Sequence, residues 1–300
     1  MHEIELIQIP TDAGTFTARA VGDAADPLML MLHGFPRTSH LFRHLMLPAA
    51  GTGRRVVAFD QRGYSPGVRP DRKEDYAMDE LVADVARVAD SLEAETFDLL
   101  GHDWGGIVAW RAAAQHSDRV RSLCVLSTPH PSAFSDELSS SNSDQAERSS
   151  YMDMFCSPMA ETIFLNDDAA NLRSMLSSPG TTEADVVTYA DVLTQAGAFT
   201  GALNWYRENL SPGSSGRPIE VAAPVLHVAG TEDHAFSMSA VERSARHVSG
   251  PYRLVRLEGA THFLPEECPE RFLSDLVAHL GGDAAQGSTD GSTHGQPTHA

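Results

Sequence analysis

Two rhythms of apolar and polar residues alternate along this chain. Residues 3–9 and 14–21 alternate strictly enough to predict two antiparallel strands joined by Pro10-Thr-Asp-Ala-Gly14. Leu28-Met-Leu-Met-Leu32 has no polar position, the mark of a strand buried on both faces. A helix over 39–49 and a strand over 54–59 follow, the strand ending at Asp60. Between Met78 and Leu92 apolar residues fall at 78, 81, 82, 85, 88, 89 and 92, a stripe of helical period. A strand at 95–100, a helix at 104–116 and a strand at 120–126 continue the series. Strands alternating with helices predict a mostly parallel sheet with right-handed crossovers.

The rhythm breaks after Pro129-His-Pro131. Residues 132–215 hold no buried strand, a Ser-rich stretch at 135–150, and helical stretches rich in Met, Phe and Leu. Alternation resumes with a strand at 224–229, a helix at 237–247, a strand at 252–257 and a helix at 266–280. The expected organisation is an α/β core, 1–131 and 216–281, interrupted after the sixth strand by a helical cap, 132–215. Such an insertion lies over the strand ends, where ligands bind in sheets of this kind. Residues 282–300 are Gly, Ser, Thr, Asp, Gln, Ala and His without apolar period, and are expected to be a disordered tail.

Charge narrows the partners. Lys and Arg number 22 against 41 Asp and Glu, a formal net charge of −19, which argues against a nucleic-acid or anionic-membrane partner. No segment approaches the ~20 apolar residues of a membrane span, and Met-His-Glu-Ile-Glu-Leu-Ile lacks the regions of a signal peptide. Cys124, Cys156 and Cys268 are odd in number and scattered, as in a cytoplasmic protein with reduced thiols. No H-E-x-x-H or C-x-x-C spacing is present, so neither a metal nor a cofactor is expected.

The chemistry concentrates at Gly101-His-Asp-Trp-Gly-Gly106. A strand-prone run precedes it and a helix-prone run follows, the context of a nucleophile elbow. Asp103 stands where serine is usual. A carboxylate there does not make the acyl-enzyme a serine makes; it attacks a saturated carbon and forms an alkyl ester, which water then cleaves at the aspartate's own carbonyl. Aspartate at this place has a second ordinary use, capping the helix. Gly101 and Gly105 let the turn be sharp.

Two more residues stand at strand ends in the order nucleophile, acid, base. Asp233, in Ala229-Gly-Thr-Glu-Asp233-His, is the candidate acid, with Glu232 and His234 on either side of it. His262, in Leu257-Glu-Gly-Ala-Thr-His262-Phe, is the candidate base that activates water. Ser127-Thr-Pro-His-Pro131, the other place for an acid, offers no carboxylate. His33-Gly-Phe-Pro36 follows the third strand and turns the backbone so that the Phe35 and Trp104 N–H groups make an oxyanion hole. Pro36 allows a cis bond.

These motifs, with Asp60-Gln-Arg-Gly-Tyr-Ser65, Thr128-Pro-His-Pro131 and Gly259-Ala-Thr-His262, resemble the epoxide hydrolase branch of the α/β-hydrolase superfamily over nearly all of 3–281. The resemblance implies the α/β-hydrolase fold and an epoxide hydrolase acting on a small apolar epoxide and water. It also implies two cap tyrosines that bind the epoxide oxygen. Tyr206, in Leu203-Asn-Trp-Tyr206-Arg207, matches one family segment; Tyr151, opening Tyr151-Met-Asp-Met-Phe155, matches the other more loosely. Phe35, Pro36, Trp104, Trp205 and Phe155 are the expected substrate contacts. A haloalkane dehalogenase uses the same Asp/His pair but cradles a halide with N–H donors; Trp104 could supply one, and Trp205 the second. A fluoroacetate-type enzyme would want an Arg beside the nucleophile, where Trp104 and Ile107 stand. A non-catalytic binding protein on this fold would carry a damaged triad.

Overall fold

The computed structural model describes residues 3–210 and 219–286. Eight strands form one sheet: β1 (Glu5–Thr11), β2 (Gly14–Val21), β3 (Leu28–Leu32), β4 (Arg55–Phe59), β5 (Phe97–His102), β6 (Val120–Leu126), β7 (Val225–Gly230) and β8 (Tyr252–Leu257). Their spatial order is β1-β2-β4-β3-β5-β6-β7-β8. β1 pairs antiparallel with β2, and β2 with β4; every other pair is parallel. The mostly parallel sheet predicted from the rhythm is present, in the α/β-hydrolase fold that the resemblance implies.

β3 shows why an all-apolar run belongs at the centre. Leu28, Leu30 and Leu32 enter the apolar cluster on one face, Met29 and Met31 the cluster on the other. Strand period two sends successive side chains to opposite faces, so a strand covered on both sides tolerates no polar residue. The stripe of helix Met78–Ser91 packs Leu81, Val82, Val85, Val88 and Ala89 into the first cluster, in the helical phase expected.

Between β6 and β7 the described elements are helices: Pro131–Leu138, Gln145–Arg148, Met152–Cys156, Ala160–Leu176 with a kink at Asn166–Ala169, Glu183–Leu193 and Ala198–Asn209. The helix Glu183–Leu193 starts on a reciprocal capping box between Thr182 and Asp185. Among the described residues no helix is long and apolar enough to cross a membrane.

Three expectations need correction. The helix over 39–49 opens as a 3-10 turn, Ser39–Phe42, before Arg43–Ala50, and the helix over 237–247 ends as one, Ser244–His247. The helix over 266–280 is broken into Leu264–Glu267, Pro269–Arg271 and Leu273–Gln286. Pro269 is the cause: it lacks a donor, and Cys268 before it leaves the helical region at φ −154°, ψ 51°. The last helix also runs past 282, so the tail does not begin there; residues 287–300 lie outside the described residues.

One polar group in the core stands out. Asp98, fully buried on β5, accepts from Arg54 Nε at 2.8 Å, Arg121 Nη2 at 2.6 Å and Ser122 Oγ at 2.9 Å. Removing one member of such a group leaves the others desolvated and unpaired. Asp98→Ala should therefore cost about 3–5 kcal/mol of folding stability, measurable as a fall in the denaturant midpoint. A change within about 0.5 kcal/mol would mean that water reaches these guanidinium groups.

Candidate active site

β5 delivers its last residue, His102, to the C-terminal edge of the sheet, and the chain turns at Asp103 with φ 54° and ψ −126°. That backbone is costly for any residue but glycine and persists only where its surroundings enforce it. Helix Trp104–Gln115 begins next, and Asp103 holds its N-cap position without making a side-chain capping bond. The carboxylate instead points across to the loop after β3, where Oδ1 accepts the Phe35 N–H at 2.8 Å. Two glycines permit this approach. A Cβ on Gly34 would lie 2.2 Å from Asp103 Oδ1, and one on Gly105 would lie 2.0 Å from the Leu32 carbonyl oxygen.

The loop bearing Phe35 is fixed from behind. Gln61 N–H donates to His33 Nε2 at 3.0 Å, and the Gln61 amide donates to the His33 carbonyl. Arg37 N–H closes the turn onto the Gly34 carbonyl at 3.0 Å, and the Phe35–Pro36 bond is cis. The Asp60–Ser65 motif supports the same loop: Asp60 accepts from Ser39 N–H at 2.7 Å, and Arg62 makes a two-pronged pair with Asp84 at 2.7 and 2.8 Å.

The two remaining members arrive from β7 and β8. Asp233 Oδ2 lies 2.8 Å from His262 Nδ1, while its Oδ1 accepts the Ala235 and Phe236 N–H groups at 2.7 and 3.1 Å. Neither flanking residue takes that place: Glu232 is exposed, and His234 sits beside His262 with ring centroids 5.7 Å apart. His262 Nε2 stands 3.5 Å from Asp103 Oδ2. The His262 carbonyl accepts from Ser127 Oγ at 2.7 Å and lies 2.9 Å from His102 Nε2. Sequence reasoning missed these last supports. His102 and Ser127 each stand in a motif of the sequence, but nothing local marks either as a support of His262, 160 and 135 residues away.

All three side chains are buried. Burial alone would push His262 toward neutrality. The Asp233 charge, hydrogen bonds to Asp103 and Asp233, and the Asp103 charge outweigh it and raise the imidazole to about 10. Burial opposes ionisation of Asp103 as well, yet the His262 hydrogen bond and charge, His102 and the Trp104 N–H together lower its pKa. These shifts favour an imidazolium between two carboxylates.

Asp103 and His262 open onto a cavity of about 480 Å³, also lined by Phe35, Pro36, Tyr151, Phe155, Met175, Tyr206 and Phe263. Phe35, Phe155 and Tyr206 form one aromatic wall, with centroids 4.8 to 5.3 Å apart. Burial raises both phenols, Tyr206 and Tyr151, well above the ordinary tyrosine value, and the Asp103 charge adds to it. Trp205 does not belong to this wall. Its indole N–H donates to the Arg62 carbonyl at 2.9 Å, so the ring faces the core while Tyr206, one residue on, faces the cavity. The Trp104 side chain is not at the cavity surface either; it packs behind Tyr206 at 5.0 Å. Among the described residues no group of three or more His, Cys, Asp or Glu is gathered as a metal site requires.

A family model described as alpha/beta hydrolase fold matches residues 27–269. Epoxide hydrolase A of Mycobacterium tuberculosis is 31% identical, over 87% of this chain and 92% of its own length. Epoxide hydrolase 4 of Mus musculus is 33% identical, over 84% of this chain and 72% of its own. The chain belongs to the epoxide hydrolase branch of the α/β-hydrolases. Among solved structures, an inhibitor complex of a Bacillus megaterium epoxide hydrolase superposes with a TM-score of 0.84 at 27% identity, covering 91% of this chain and 99% of that one. Epoxide hydrolase A of Mycobacterium thermoresistibile gives 0.79 at 28%, covering 93% and 99%.

The electrostatic arrangement makes a prediction of its own. In the wild type, His262 should stay protonated up to about pH 10. Asp103→Asn removes one of the two carboxylates that favour the cation, so the imidazole of that variant should titrate at lower pH. NMR of labelled histidine measures both; an unchanged titration would show that Asp103 does not act on His262.

Proposed function

We propose that this chain hydrolyses epoxides to vicinal diols through a covalent ester on Asp103. The observation that carries the reading is the convergence of Tyr151 and Tyr206 with the Asp103 carboxylate on one largely apolar cavity. The relatives named as epoxide hydrolases support it.

The ground state sets the first step. The lowered Asp103 pKa keeps the nucleophile ionised, and the Phe35 N–H fixes Oδ1 so that Oδ2 faces the cavity. Attack on an epoxide carbon breaks a carbon–oxygen bond, and the charge appears on an oxygen that stays attached to the carbon skeleton. That oxygen needs a proton donor. A phenol kept protonated by burial meets the need, and Tyr151 and Tyr206 are both in that state.

Forming the ester also switches the base. Neutralising Asp103 takes its charge and hydrogen bond away from His262. The imidazolium then gives up its proton, by way of water in the shared cavity, to the phenolate that ring opening left, restoring the phenol. Neutral His262, oriented by Asp233, takes a proton from water as it attacks the Asp103 carbonyl. The Phe35 N–H, with the Trp104 N–H beside it, stabilises the oxyanion. The base is therefore held inactive until the ester exists.

A dehalogenase would need free N–H donors for the halide. The Trp205 indole is committed to Arg62, and position 35 offers a phenyl ring. Asp233, His262 and Asp103 also lie within reach of one another, unlike the damaged triad of a binding protein.

His262→Ala should still be alkylated by an epoxide but should not turn over, so intact-mass spectrometry should find the enzyme heavier by the mass of the epoxide. The same protein challenged with chloro- and bromoalkanes should gain little. Near-normal steady-state turnover by this variant would refute the assignment of the base.

Tyr206→Phe and Tyr151→Phe should each slow alkylation, by roughly 10²-fold or more if each phenol acts as acid, and the double variant should nearly abolish it. Stopped-flow single turnovers separate this step from ester hydrolysis. Intact ring opening in the double variant, or halide release dominating in the wild type, would overturn the epoxide reading.

A further inference from the structure

Behind the cavity lies a charged group that the mechanism above does not use. Arg37 and Glu266 are both buried, 229 residues apart, and join through Nε and Oε2 at 2.8 Å. Each side chain sits on a turn that presents a reacting group. Arg37 N–H closes the loop that offers the Phe35 N–H to Asp103. Glu266 N–H bonds the Phe263 carbonyl at 3.0 Å, one residue beyond His262. The Arg37 guanidinium also stacks on the Phe263 ring at 4.1 Å.

The same pair reaches the helices above the sheet. Arg37 Nη2 donates to Ser178 Oγ at 2.7 Å, at the rim of the cavity. Glu266 Oε1 accepts from Tyr189 at 2.6 Å and from Arg43 at 2.9 Å, and Arg43 continues to Asp185 at 2.7 Å. Among the described residues, Arg37 Nη1 is buried and has no hydrogen-bond partner. A buried ion pair with an unsatisfied donor is a poor device for stability alone, since apolar residues fill such a site at less cost.

We propose that Arg37 is a positioning residue that, through Glu266, fixes the oxyanion loop and the His262 loop relative to each other and to the rim at Ser178. The inference rests on the function proposed above. It assigns the pair to one step in particular. Ring opening needs the Phe35 N–H and the His262 charge only to hold the Asp103 carboxylate, whereas ester hydrolysis needs the Phe35 N–H and His262 placed on one carbonyl at the same moment.

Arg37→Lys and Glu266→Gln are the conservative tests, because the first keeps the charge but loses the fork and the second keeps the shape but loses the charge. With rates counted per active site from the alkyl-enzyme burst, both should hydrolyse the ester at least about ten-fold more slowly while alkylation changes by no more than about two-fold. The double variant should be no worse than the worse single one, since both act through a single link. A merely structural role would lower the thermal midpoint and the burst amplitude but leave the ratio of the two rates alone; that result overturns the proposal. Should either variant fail to fold, Ser178→Ala, which spares the ion pair, should still slow hydrolysis selectively, and an unchanged ratio there overturns it too. Absence of any alkyl-enzyme in the wild type would defeat the epoxide reading itself, whereas a normal wild type with unaltered variant ratios defeats only the coupling.

Discussion

A carboxylate must stay charged beside a largely apolar, aromatic-walled cavity, and most of the structure around Asp103 answers that demand. Desolvation of an ion is expensive unless donors and counter-charge replace the lost water. Here one oxygen takes the Phe35 N–H and the other faces the His262 cation. The positive φ at Asp103 is what aims the side chain at both. That backbone would relax if the helix behind it could slide, but Gly105 packs directly on the β3 carbonyls and leaves no room. Strain at one residue is thus maintained by close packing between a helix and two parallel strands.

The charge balance gives the site an order of events. With Asp103 ionised, the imidazole is a cation and cannot accept a proton. Once Asp103 is esterified, only Asp233 remains to favour the cation. In the proposed mechanism the same histidine would serve as counter-ion in one half of the cycle and as base in the other, with no moving part needed to switch it. Asp233, satisfied by two backbone N–H groups of its own turn, is suited to remain a carboxylate throughout.

How much of this was legible beforehand depended on whether the signal was local. Asp103, Asp233 and His262 were readable because each follows a strand and sits among turn residues, and parallel strands bring such ends to one edge. The core strands were readable for the same reason: β3 carries its burial in an unbroken apolar run, and β6 does so over Leu123–Leu126. The helix after His262 was misread because apolar spacing was followed across Cys268-Pro269, where the proline's missing donor decides the break. Trp205 and Tyr206 show another limit. Adjacent residues on a helix point about 100° apart, so the motif fixed the pair but not which member faces the cavity; that follows from the Arg62 carbonyl, 143 residues distant.

The residues hardest to foresee are the ones whose partners lie far along the chain and carry opposite charge. Arg37 in isolation is one more surface-type cation beside a turn, and Glu266 one of two consecutive acids after a histidine. Neither type is usually found fully buried unless paired, and the fold alone brings them together. Their placement has a physical logic that hydrophobic packing would not supply. An apolar contact between the two loops would tolerate sliding of a few tenths of an ångström, whereas a guanidinium held by a carboxylate on one side and a hydroxyl on the other fixes direction as well as distance. An oxyanion donor and a base that must act on the same carbonyl need that directional link. On the proposed mechanism, a directional ion pair between these two loops is what the second half of the reaction would use.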